Sequence, residues 1–149
     1  MWEDEQCISI GEKYLSSLSK GNFKMEQCQY CRRYGIIEKH HIIKRSQAKN
    51  LINFKLNIIS LCSNCHRKVH SKDGREVDLR LKLRYFNEIN KLLTKDKYDL
   101  PLLIDLLGIS EKECLSLVKT ITKGGVIERE DLIRQLMGGK YYEFISFNR

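Results

Sequence analysis

Read along its hydrophobic and polar positions, the chain of 149 residues changes period several times. Ile8, Tyr14, Leu15 and Leu18 are loosely spaced as on a helix, and Lys20-Gly21-Asn22 supplies a stop, which predicts a helix over about residues 9–19. Short β-branched runs come next. Ile36-Ile37 and Ile42-Ile43 predict a strand ending near His41 or continuing through Ile43, and Ile58-Ile59-Ser60-Leu61 predicts a second. Between them residues 44–56 are polar and basic, a long loop with Leu51, Ile52, Phe54 and Leu56 to hold it down. Ser63 or Asn64 suits a helix cap, and the helix is expected to run past His70 to Lys72, where Asp73-Gly74 ends it.

The second half reads as helical. Residues 76–94 begin with strand-like alternation, but Leu81, Tyr85, Ile89 and Leu92 keep helical spacing and predict a helix over about 79–93. Residues 95–99 form the expected boundary, and Pro101 starts a new element. Leu102, Leu103, Leu106 and Leu107 predict a helix stopped at Gly108. Ser110-Glu111-Lys112-Glu113 is a capping box whose helix is expected to end at Lys123-Gly124-Gly125. A third helix is expected from Arg129 to Met137, closed by Gly138-Gly139. The pair on either side of Gly108-Ile109-Ser110 resembles a helix-turn-helix reader; two antiparallel helices that merely pack are the alternative. The stretch 141–147 is aromatic and strand-like. The chain has no internal repeats.

Charge sharpens this picture. The net charge is +8. Residues 28–84 carry 14 Lys/Arg against 4 Asp/Glu, residues 1–27 carry 3 against 5, and residues 85–149 carry 10 against 10. The surplus is confined to one module, whose natural partner is a polyanion such as nucleic acid. The balance over 85–149 favours plain packing for the C-terminal helix pair. No apolar run reaches the ~18 residues of a membrane span, and the acidic start Met1-Trp2-Glu3-Asp4-Glu5-Gln6 is unlike a signal peptide. A cytoplasmic protein is therefore expected.

All four histidines and four of the six cysteines fall between Cys28 and His70. In an intracellular setting cysteines serve more often as metal ligands than as a disulfide framework. Cys28-Gln29-Tyr30-Cys31 and Cys62-Ser63-Asn64-Cys65 are matched C-x2-C turns, in which the backbone reverses so that two thiolates converge on one ion. Together they predict a four-cysteine structural zinc site. Cys7 and Cys114 sit among apolar neighbours and are expected to be ordinary packed side chains. His66 and His70 are four residues apart and share one helix face, so one ion can take both.

The combination of Cys28/Cys31, His40-His41-Ile42, Asn57, Leu61-Cys62, Cys65-His66 and His70 resembles the HNH endonuclease family, in its cysteine-knuckle branch with a ββα-metal fold. Lys44 stands where many relatives have proline, and the glycine-rich loop segment is absent. The resemblance implies a nuclease core over 28–75; with the helical signals read above for residues 1–27 and for an extension over 76–149, the expected protein is α+β and mostly helical. It implies that His41 is the general base and that Asn57 orients the His41 ring by hydrogen bonding. His40, His66 and His70 would hold one catalytic divalent ion (Mg, Mn, Ni or Zn). Arg32, Arg33, Lys44, Arg45, Arg67 and Lys68 would contact DNA phosphates. A monomer or homodimer is compatible with it, as is a phage, homing, restriction or packaging setting, with the host cytoplasm as location if phage-encoded. The rival expectation is a catalytically silent, zinc-stapled DNA-binding module.

Overall fold

The structure is a computed structural model and describes residues 25–140. The helix expected over 9–19, Cys7 and the aromatic stretch 141–147 lie outside the described residues. The fold is α+β, with an antiparallel hairpin and a following helix that suit a ββα-metal core. The described chain forms two compact units: residues 25–40 with Ile59–Val77, and His41–Ile58 with residues 78–140. This grouping differs from a linear cut at residue 75, because the loop before Ile58 belongs to the second unit.

In the first unit, strand β1 (Met25–Gln27) pairs antiparallel with β2 (Tyr34–His41), Met25 opposite Ile36 and Gln27 opposite Tyr34. Strand β3 (Ile58–Cys62) completes the sheet in the order β1-β2-β3. Helix α1 (Ser63–His70) follows at once, so its N-cap is Cys62 rather than Ser63 or Asn64 as expected. The strand enters the helix without a connecting loop, which leaves the Ser63 hydroxyl free to bond Glu38 instead. The helix ends at His70, before a 3-10 turn at Lys72–Gly74. Gly74 is required there: a Cβ would fall 2.0 Å from the Lys68 carbonyl oxygen.

Helix α2 (Arg75–Leu92) begins four residues earlier than predicted. Its buried stripe of Val77, Leu81, Tyr85 and Ile89 repeats every four residues. The alternating Leu79 is 37% exposed, which marks the strand-like alternation at the start as incidental.

The second unit contains the loop after β2, with 3-10 turns at Lys49–Leu51 and Lys55–Asn57. Ile42, Ile43, Ala48, Leu51 and Phe54 are buried and anchor it. Helix α3 (Leu100–Leu107) starts as the sequence indicated: Asp99 caps Leu102 N–H at 2.9 Å, and Gly108 ends it at φ 60°. Helix α4 (Glu111–Val118) carries the predicted capping box but stops before Lys123. Thr120, Ile121 and Thr122 are β-branched, and the Thr122 hydroxyl binds the Val118 carbonyl at 2.9 Å. A two-stranded sheet of β4 (Lys97–Tyr98) and β5 (Ile127–Glu128) was not foreseen, since two-residue strands leave no periodic trace. Helix α5 (Arg129–Leu136) closes the unit. Among the described residues no helix is long and apolar enough to cross a membrane.

Candidate metal centre and active site

The first knuckle turns because Cys28 N–H reaches the Arg33 carbonyl at 2.8 Å and Arg32 N–H reaches the Cys28 carbonyl at 2.9 Å. Arg32 takes the left-handed conformation (φ 66°) to close it, and Gln27 Nε2 donates to the Arg32 carbonyl. The second pair straddles the start of α1. All four sulfurs of Cys28, Cys31, Cys62 and Cys65 lie within 4.8 Å of one another. Cys31 Sγ and Cys62 Sγ are 3.8 Å apart, the spacing of about 3.8 Å across a tetrahedron with Zn–S of about 2.3 Å.

The donor chemistry fits a cation as well. A hydrogen bond from Cys65 stabilises the Cys28 thiolate, whose pKa drops to about 4. Burial pushes Cys31 up to about 12. Cys65 is raised by its bond to Cys28, by burial and by the Cys28 charge. Cys31 and Cys65 thus resist ionising beside the Cys28 thiolate, and a divalent ion would relieve that repulsion. The cluster suits structural zinc.

The second cluster is His40, His66 and His70, whose ring nitrogens also lie within 4.8 Å of one another. His40 is contributed by the end of β2 and is 5% exposed; His66 and His70 sit one helical turn apart on α1. Ring centroids are separated by 5.3, 5.1 and 4.9 Å at interplanar angles of 70°, 68° and 69°, a three-bladed arrangement. His66 Nε2 and His70 Nε2 are 3.2 Å apart, as expected for two nitrogens about 2.0–2.1 Å from one ion. Three nitrogen donors leave coordination positions open on an ion, so the cluster could hold a catalytic metal.

Glu38, to which sequence reasoning gave no role, completes this site. Its carboxylate binds His66 Nδ1 at 2.5 Å, and its pKa is lowered first by that bond and then by the Ser63 hydroxyl. An imidazole that donates from Nδ1 presents a lone pair at Nε2, so the bond to Glu38 leaves His66 able to ligate a metal. The signal was available: Glu38 and His40 are two apart on a strand and share its face.

His41 and Asn57 differ from expectation in how they are connected. His41 Nε2 is 3.1 Å from the Ile52 carbonyl oxygen. A carbonyl only accepts, so Nε2 carries a proton, and in the neutral ring Nδ1 holds the lone pair. Asn57, fully buried, spends its amide on the backbone: Oδ1 accepts from Ile43 N–H at 2.7 Å, and Nδ2 donates to the Ile43 and Leu51 carbonyls at 3.2 Å. The expected direct bond from Asn57 to the His41 ring is thus replaced by the Ile52 carbonyl. Asn57 instead fixes the loop that carries it, because a buried amide meets backbone groups before it can reach a half-exposed ring.

Of the basic candidates, Arg32, Lys44, Arg45, Arg67 and Lys68 are exposed. Arg33 is half-buried, and its Nη1 has no hydrogen-bond partner among the described residues. Cys114 is buried, as anticipated.

Residues 28–72 match the family model described as HNH endonuclease. Comparison with curated proteins and with solved structures returned no match. The matched stretch spans both clusters, and it constitutes an HNH endonuclease domain with a four-cysteine cluster.

Proposed function

We propose that this HNH endonuclease domain hydrolyses DNA phosphodiester bonds, with His41 as general base and one divalent ion held by His40, His66 and His70. The observation that carries the reading is the three-histidine triangle with its Glu38 support, a ligand set with open positions. A divalent ion bound there supplies Lewis-acid stabilisation of the scissile phosphate and of the leaving oxygen.

The remaining chemistry belongs to the chain's own groups. His41 follows His40 directly, so base and ligand are tied about 3.8 Å apart at their Cα atoms. Nδ1 of His41 takes a proton from water as the water oxygen bonds to phosphorus and the P–O3′ bond breaks, and the departing 3′ oxygen takes a proton from solvent. By likeness to the family, the products carry a 5′-phosphate and a 3′-hydroxyl. Asn57 holds the loop behind the base. Arg32, Arg33, Lys44, Arg45, Arg67 and Lys68 bind backbone phosphates, which position DNA without reading sequence. The zinc held by Cys28, Cys31, Cys62 and Cys65 serves the fold. One such site nicks one strand; a double-strand break takes a homodimer or two events.

The test is supercoiled-plasmid conversion with Mg, Mn, Ni or EDTA, comparing wild type with His41→Ala. Metal-dependent nicking that falls by a factor of about 10²–10⁴ in the variant is expected, with zinc content unchanged. Nitrogen donors suit Mn and Ni at least as well as Mg, so these ions should support cleavage no worse than Mg. Plasmid bound at low salt but uncut by either protein would favour the silent DNA-binding module.

A further inference from the structure

The C-terminal helices lie outside the matched residues, yet they hold the loop on which the His41 ring rests. Asn53 Nδ2 donates to Glu113 Oε1 at 2.6 Å. The other carboxylate oxygen, Oε2, accepts from the Ser110 backbone N–H at 2.9 Å and from its hydroxyl at 2.7 Å. A capping box uses one carboxylate oxygen; here the second is committed to a residue 60 positions away. Asn53 directly follows Ile52, whose carbonyl receives the His41 ring. Helix α4 also packs on the turn Lys49–Leu51, and the Leu51 carbonyl receives Asn57.

Two further clamps act on the same loop. The ring of Tyr85 meets Phe54 edge-on with centroids 6.3 Å apart, and its hydroxyl donates to the Leu136 carbonyl at 3.0 Å. Beyond α5, Gly138 adopts φ 77°, and a Cβ there would fall 2.8 Å from Ile43 Cγ2. The loop is thus fastened near both ends, while its middle is braced by α4.

From this geometry we infer that Glu113 is a positioning residue for His41: through Asn53 it fixes the Ile52 carbonyl that orients the base. A base whose ring is misplaced by a fraction of an ångström loses rate without losing substrate. The effect on cleavage rests on the nuclease reading above; the effect on the ring does not.

The experiment uses the full chain with its zinc and compares wild type with Glu113→Ala, Glu113→Gln and Ser110→Ala. Long-range 1H–15N spectra of the histidine rings, assigned with His41→Ala, report the His41 tautomer, and nicking assays give kcat and KM. Wild type should show a single Nε2–H tautomer. Glu113→Ala should mix the tautomers and lower kcat about tenfold or more at unchanged KM. Glutamine should restore both, because its amide can cap Ser110 and donate to a flipped Asn53. Ser110→Ala, which weakens the cap but keeps the Asn53 bond, should resemble wild type. A wild-type ring and kcat in folded Glu113→Ala would overturn the inference, and so would equal damage from Ser110→Ala. If wild type does not nick while Glu113→Ala still disorders the ring, the nuclease reading falls and the brace stands.

Discussion

The Glu38 carboxylate accepts the Nδ1–H of His66 at 2.5 Å, and this contact decides which nitrogen of His66 faces His40 and His70. With that proton fixed, the Nε2 lone pair is available to an ion without a change of tautomer. Loss of such an outer partner typically costs about 10–100-fold in metal affinity. Glu38→Ala should therefore weaken Ni or Mn binding by that factor in calorimetric titration, while zinc at the cysteines stays in place. Glu38→Gln, which still accepts from Nδ1, should recover much of the affinity. Identical affinities for wild type and Glu38→Ala would remove Glu38 from the site.

Asn57 makes three buried hydrogen bonds to the backbone of the loop behind His41. Each backbone group left unsatisfied in the interior costs about 1–3 kcal/mol. Asn57→Ala should lower unfolding free energy by roughly 3–5 kcal/mol in urea titration. Asn57→Asp keeps an acceptor for Ile43 N–H but offers nothing to the two carbonyls, so it should recover little. A loss under about 1 kcal/mol would mean that water replaces the amide.

The limits of sequence reading follow from where each piece of information resides. The thiolate pairs were legible because a C-x2-C turn is a local device, and His66 and His70 were legible because a helix has a fixed period. Glu38 was within reach by strand alternation, yet an exposed acidic residue on a strand looks solvated until its partner on α1 is known. The Ile52 carbonyl and the Asn53–Glu113 bond were not legible at all. Backbone groups are the same at every position, and a contact across 60 residues leaves no spacing to read. The capping box of α4 was visible as a cap, but its second carboxylate oxygen acquires meaning only in three dimensions.

Zinc in the cysteine cluster should be part of the fold of its unit. One equivalent per chain is expected by elemental analysis. Chelation strong enough to remove it should abolish cooperative unfolding of that unit, because a module this small has little core to replace the ion. Cys31→Ser, which removes one thiolate, should lose zinc at far lower chelator concentration than wild type. Native-like hydrogen-exchange protection in the zinc-free protein would show the ion to be dispensable.

Arg32 holds a left-handed conformation (φ 66°) that glycine adopts freely. The penalty for a side chain there is about 1–2 kcal/mol, while glycine gives back roughly 0.5–1 kcal/mol in unfolded-state entropy. Arg32→Gly should leave stability within about 1 kcal/mol of wild type, with zinc retained. If Arg32 contacts a phosphate, the slope of log affinity for DNA against log salt should fall by about 1. An unchanged slope would remove Arg32 from the DNA contacts.

Glu113 has a pH signature of its own. Its pKa is lowered below the ordinary 4.5, first by the Ser110 hydroxyl, then by the Ser110 backbone and Asn53. A carboxylate with a depressed folded-state pKa stabilises the protein fully above its unfolded value and loses that contribution as pH falls through the folded value. The difference in melting temperature between wild type and Glu113→Gln should therefore be constant above about pH 5 and shrink below about pH 4. Comparing the two proteins cancels the titration of the histidines and cysteines, which both share. A difference that persists unchanged into acid would mean that the neutral carboxyl does the same work, and the charged contacts with Ser110 and Asn53 would then contribute nothing beyond hydrogen bonding.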